Sequence, residues 1–244
     1  MIDHWRSYAL SDFLLFAPAT YFRQFELMNA ALMPLPLLLP PLALAVLLLA
    51  RSRLAWRGRI AGALLCAFWA GSGFLFLWQR YAAINWAAVW LAAGFAVQIA
   101  LLLWLAVLRD GLAFAPARPG RTYSWRARLG TLILGYAALG WPLHAPLLGR
   151  PWLQAEVVGL APDPTALATL GLLLMAGGRA ATALLALPLV WCAISLLTLW
   201  TMEAAEFWPL AAASGIALAA LIAARFASDA GAGAGEAGAT DRRA

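Results

Sequence analysis

Long apolar runs that alternate with short arginine-rich loops constrain this 244-residue chain more than any other feature. A helix of roughly 20 apolar residues crosses the hydrocarbon core of a bilayer, where exposed loops and open sheet edges cannot be tolerated. Such runs lie at about 30–50, 60–79, 84–108, 129–148, 164–178, 181–201 and 208–226. Hydrophobic residues are 64% of the chain and charged residues 11%. A soluble domain of this size leaves too much chain at its surface to hide that composition. The expected fold is all-α: a polytopic membrane helix bundle of about seven transmembrane helices.

The basic residues set an orientation. All seventeen are arginines. Arg51, Arg53, Arg57 and Arg59 fill one loop, and Arg109, Arg118, Arg121, Arg126 and Arg128 fill another on the same side. Arg179 and the tail arginines Arg225, Arg242 and Arg243 join them, which leaves only Arg6, Arg23, Arg80 and Arg150 opposite. The positive-inside rule then puts the N-terminus outside and the C-terminus in the cytoplasm. The run 164–178 is the exception: its fifteen residues cover only about 22 Å as helix against a core of about 30 Å. It reads as a half-helix or a re-entrant arm.

Three regions follow. Residues 1–29 form an outer amphipathic segment, in which Tyr21, Phe22, Phe25 and Met28 share one helical face and Arg23, Glu26 and Asn29 recur on another. Residues 30–226 form the helical domain, opened by Pro34, Pro36, Pro40 and Pro41, which break a helix start. Residues 227–244, rich in glycine and alanine, are expected to be a disordered cytoplasmic tail.

The scarce polar side chains gather on the arginine-poor side. Glu26, Asn29, Arg80, Asn85, His144, Arg150, Glu156, Asp163, Thr165, Glu203 and Glu206 all fall near the outer ends of runs. Charge within a bilayer is costly and marks function, whereas charge at a span end touches headgroups at little cost. His144, close to Pro142 and Pro146, is suited to relay protons or to bond a carbonyl freed by proline. Asp163, between Pro162 and Pro164, is placed to cap the short helix, or to face a cation from its start. Glu26, Asn29, His144 and Asp163 are the candidate residues for an outward polar pocket. Cys66 and Cys192 lie in apolar runs and read as small buried hydrophobes.

Catalytic signatures are missing: the chain has no Gly-x-Ser-x-Gly, His-Glu-x-x-His, phosphate loop or Cys-x-x-Cys. No enzymatic activity, metal or cofactor is therefore expected. The expected partners are the lipid bilayer and a second membrane protein or copy of the chain. Nucleic acid is not among them, since the arginines flank apolar runs instead of forming a soluble basic face.

Several motifs resemble one family. They are Asp12-Phe13-Leu14-Leu15-Phe16, Phe25-Glu26-x-x-Asn29-x-Ala31 with Pro34, Trp69, and Ile84-Asn85-x-Ala87-Ala88. Gly149-Arg150-Pro151, Pro162-Asp163-Pro164-Thr165 and Gly171-Leu172-Leu173-Leu174 complete the set, so the likeness runs from residue 11 to about 222. They resemble an uncharacterised bacterial integral membrane family, domain of unknown function 6064. The resemblance implies a multi-pass protein of the bacterial inner membrane without a settled activity, some relatives carrying permease-type labels. The chain departs from that pattern at Asp163, where the family usually has cysteine. It departs again at Phe76-Leu77, where the family has an aromatic–histidine pair. A permease-like or ion-binding protein is the first functional expectation, and a non-catalytic subunit of a larger membrane complex the second.

Overall fold

A computed structural model of the chain describes residues 16–114 and 124–241. The elements in chain order are α1 (Pro18–Leu32), α2 (Leu35–Arg51), α3 (Arg57–Ala70), α4 (Ala88–Leu101), β1 (Ala113–Phe114), α5 (Trp125–Gly135) and α6 (His144–Leu147). They continue with α7 (Pro162–Met175), β2 (Ala176–Gly177), α8 (Arg179–Ala183), α9 (Ala186–Thr201) and α10 (Phe207–Asp241). Helices α3, α4 and α5 run on into π-helical turns at Gly71–Trp78, Leu102–Leu108 and Tyr136–Gly140. The described chain is thus all-α apart from one two-stranded ribbon.

Four stretches among the described residues are long and apolar enough to cross a membrane: Arg57–Ala83, Ala88–Leu108, Arg179–Thr201 and Phe207–Ala224. A fifth exists if α1 and α2 are taken together, but they meet at 94°. The expectation of seven continuous spans is corrected in three places. The run 30–50 is divided by the corner at Met33–Pro34, so residues 30–32 belong to α1. The run 129–148 is a chain of α-, π- and 3-10 turns broken around Gly140 and Pro142. The run 164–178 is a helix that ends at Met175. Helix α10 spans Phe207–Asp241.

The core is built around α7. Every residue from Pro162 to Leu174 is buried, because the helix is apolar on all sides and has no face to give to solvent. It packs most extensively against α5, and also against α2, α3, α9 and α10. At its C-terminal end β2 pairs with β1, joining it to the arginine-rich loops. Those loops form one end of the bundle. Arg57 donates to the carbonyls of Ser52 and Phe114, Arg51 donates to Thr131, and Arg59 lies 3.6 Å from Asp110. Arg109 stacks over Trp104, and Arg126 and Arg128 lie in the first turn of α5. Arg53 lies in the α2–α3 loop at the same end, and Arg121 lies outside the described residues.

The approach to α7 is not helical. Residues 155–161 are buried and non-helical: 157–161 close a turn in which the Val157 carbonyl accepts from the N–H groups of Leu160 and Ala161, with a φ of 90° at Gly159. The Gly159 carbonyl presses on Gly71, where a Cβ would stand 2.2 Å from its oxygen. Gly71 follows Arg57 by fourteen residues, which places the contact about 21 Å from the basic end. Helix α7, of 14 residues, covers that same distance at 1.5 Å per residue. The segment 155–175 therefore runs as a short non-helical stretch and a turn followed by a helix.

Gly71→Ala is expected to destabilise the purified protein by about 1–3 kcal/mol, since backbone must move to admit the methyl. Gly94→Ala meets nothing within 4 Å and should be neutral or mildly stabilising, an alanine being the better helix former. Thermal unfolding in detergent checks both; equal melting temperatures for the two variants would refute the close contact.

Candidate functional site

A buried non-helical segment has backbone groups that neither water nor a helix ladder can satisfy. Here turn bonds to the Val157 carbonyl satisfy part of them, and one hydroxyl serves two more. Thr165 Oγ1 donates to the Ala161 carbonyl at 2.7 Å, accepts from the Gly159 N–H at 2.8 Å and meets Ser72 Oγ at 2.9 Å. Thr169 in turn donates to the Thr165 carbonyl and accepts from the Trp69 indole at 2.9 Å. On the far side, the Asn29 amide donates to the carbonyls of Leu153 and Ala155, both at 2.8 Å. The α1 helix and the π turn of α3 thus clamp the segment from opposite directions.

The clamped segment carries acids inward. Glu156, Asp163 and Glu206 are each no more than 5% exposed. Asp163 Oδ1 accepts from the Trp191 indole at 2.7 Å, while Oδ2 lies beside the Ser195 hydroxyl without a close hydrogen bond. Glu156 Oε2 accepts from the Trp141 indole at 3.2 Å. Glu206, just before α10, is ion-paired with Arg150. Arg150 also lies over the Phe22 ring, 3.7 Å from its centre. The three acids are within electrostatic reach of one another, and Arg150 is the cation acting on Glu156. Tyr21 of α1 feels all three; burial first, then Asp163 and Glu156, push its phenol well above the usual range and keep it a neutral hydroxyl.

The four candidates from the sequence separate. Asp163 is in the cluster, but as the second residue of α7, where it makes no cap hydrogen bond; the cap position is Ala161. Pro162 and Pro164 have no N–H to cap, and the Thr165 N–H is bonded to the Ala161 carbonyl. Asn29 is buried, on the inward face with Phe25 and Met28 and not on the polar face with Arg23, because the loop carbonyls need its amide. Glu26 stays at the surface, paired with Arg23 and accepting from Gln154 Nε2 at 3.0 Å. The Gln154 amide, ahead of Arg23, holds its carboxyl below the ordinary range. His144 is half-buried; its Nε2 shares a 2.9 Å hydrogen bond with Tyr136 Oη, and its ring packs 5.0 Å from Trp141, the donor to Glu156. Glu26 thus bonds Arg23 and Gln154, His144 bonds Tyr136, and Asp163 bonds Trp191. The amphipathic face of α1 covers protein: Phe25 stacks on Phe76 at 4.2 Å and Tyr21 on Tyr81 edge to face.

Glu156, Glu206 and Arg150 belong to the site although sequence spacing does not single them out. Their common signal was position at outer run ends, shared with residues that do face outward. Among the described residues no three His, Cys, Asp or Glu side chains are grouped as a metal centre.

Arg150→Ala should cost about 3–5 kcal/mol, because it leaves the Glu206 charge buried alone. Removing both, in Arg150→Ala/Glu206→Ala, should recover most of that loss in a thermal double-mutant cycle. Additive losses would mean that the pair is not coupled.

The chain belongs to a family of unknown function (DUF6064), whose model matches residues 19–232. Neither a curated protein nor a solved structure matches the chain.

Proposed function

We propose that this member of a family without assigned activity is a multi-pass protein of the bacterial inner membrane that binds protons or a small cation at its buried acidic cluster, in a permease-like role. The crossings are seven: α2, α3, α4, α5–α6, the divided segment 155–175, α8–α9 and α10. The N-terminus is outside and the C-terminus cytoplasmic, in keeping with the arginines at one end of the bundle. The binding role is taken to be non-catalytic.

One observation carries the reading. Glu156, Asp163 and Glu206 are buried, and Arg150, the cation beside them, is taken by Glu206 and acts on Glu156 but not on Asp163. Glu156 and Asp163 are left with indole N–H donors and no cation of their own. Uncompensated buried charge costs several kcal/mol per ion, so protons or a cation must make up the balance. Irregular backbone deep in a membrane is tolerated where it lines such a site, and broken helices serve this purpose in transporters. His144 packs against Trp141, the donor to Glu156, and tunes the cluster from there.

The test is flux. In proteoliposomes with a trapped pH dye and an imposed pH gradient, the wild-type chain should collapse the gradient faster than empty vesicles. Asp163→Asn should return the rate to the empty-vesicle level while keeping the melting temperature. Wild-type vesicles no leakier than empty ones, to protons and to sodium or potassium alike, would reject the reading.

A second reading, a non-catalytic subunit of a membrane complex, is favoured by an apolar groove of about 380 Å³ between the end of α3 and α4, floored by Ala70, Gly73, Ala93 and Ala96. Small residues there permit close helix approach. A stoichiometric partner in mild detergent, lost on Ala93→Phe, would support it over transport.

A further inference from the structure

The turn between α9 and α10 builds a second feature, separate from the acidic cluster and independent of the reading given to it. Trp200 in the last turn of α9 and Phe207 and Trp208 at the start of α10 form a bent row of rings. Trp200 and Phe207 stand 5.0 Å apart at 60°, and Phe207 and Trp208 5.0 Å apart at 83°. Together with Glu203, Ala204 and Ala205 they line a cavity of about 550 Å³. Both indoles are more than half exposed. Glu203 is exposed as well, and among the described residues its carboxylate has neither an ion pair nor a hydrogen bond. It is held in the left-handed region, with a φ of 53°, where a non-glycine residue is uncommon. The C-terminal end of α9 leads into the same turn, its carbonyls at Thr198, Leu199 and Trp200 bonded by the N–H groups of Met202, Ala204 and Glu203, and its dipole places partial negative charge there.

We propose that this cup binds an organic ammonium group. Ring faces attract a cation through their quadrupole, most strongly on tryptophan, and an alkylated ammonium also gains from apolar contact. Glu203 supplies the counter-charge that three rings lack. An anion is disfavoured by both the carboxylate and the helix end. Interfacial tryptophans elsewhere in the chain anchor it without such a carboxylate, and anchoring alone has no selectivity for charge. The ammonium is that of a lipid headgroup or of a free amine. The cup lies at the end of the bundle that holds Arg150, since Glu206 of the same turn pairs with it.

Tetramethylammonium, which has no lipid tail, is the probe. With the full chain in phosphatidylglycerol nanodiscs, its methyl resonance should broaden saturably. The neutral isostere 3,3-dimethylbutanol should bind roughly tenfold more weakly, a comparison that needs no variant. Glu203→Gln and Trp208→Leu should each weaken tetramethylammonium binding by a similar factor, with the wild-type melting temperature retained. Competition by added phosphatidylethanolamine identifies the headgroup as the source, and displacement by free choline but not by the lipid identifies a soluble amine; both uphold the site. Absence of saturable binding, or equal binding of the charged and neutral probes, overturns it. Neither result bears on proton flux through Asp163.

Discussion

Backbone hydrogen bonding in a dry interior governs this architecture. Residues 155–161 form a buried non-helical turn inside a helix bundle, where every N–H and C=O must find a partner within the protein. Thr165 and Ser72 supply those partners from below, and Asn29 supplies them from the α1 side. The close approach of Gly159 to Gly71 lets the segment sit near enough for these bonds to form. Once it is fixed there, α7 has only to cover the remaining distance to the basic end. The neighbouring acids, Glu156 and Asp163, are carried inward with it.

The two ends of the bundle treat charge differently. At the basic end, guanidiniums are met by backbone carbonyls, a threonine hydroxyl and Asp110, with aromatic faces beside them. These are partly wet groups, and each contact is worth little by itself. At the other end the charges are buried, acids outnumber the cation, and tryptophan N–H groups stand where cations would be expected. An indole satisfies a carboxylate lone pair but does not neutralise it. That difference leaves uncompensated acid at one end of the bundle and paired, partly exposed cations at the other.

Much was legible in the residues themselves. The apolar runs gave the helices, and the inward face of α1 was right for Tyr21, Phe22, Phe25 and Met28 because helical spacing alone sorts large apolar side chains. The short run before Gly177 was recognisable as unable to cross by itself, since length converts directly to distance along a helix. Asn29 was misplaced by the same periodicity, because a polar residue on an apolar face is explained only by the carbonyls it meets, and those lie 124 and 126 residues away.

For the site, Asp163 stood out through its prolines, although its role as a helix cap did not hold. Glu156, Glu206 and Arg150 sit in segments whose local pattern is ordinary; their pairing spans 56 residues for Arg150 and Glu206. Sequence alone determined the apolar character of the helices, the helical class and the grouping of basic loops, because composition and periodicity act through transfer free energy and local geometry. Tertiary structure alone decided which polar side chains turn inward, because only chain crossing brings a donor and an acceptor from distant segments to the same buried point.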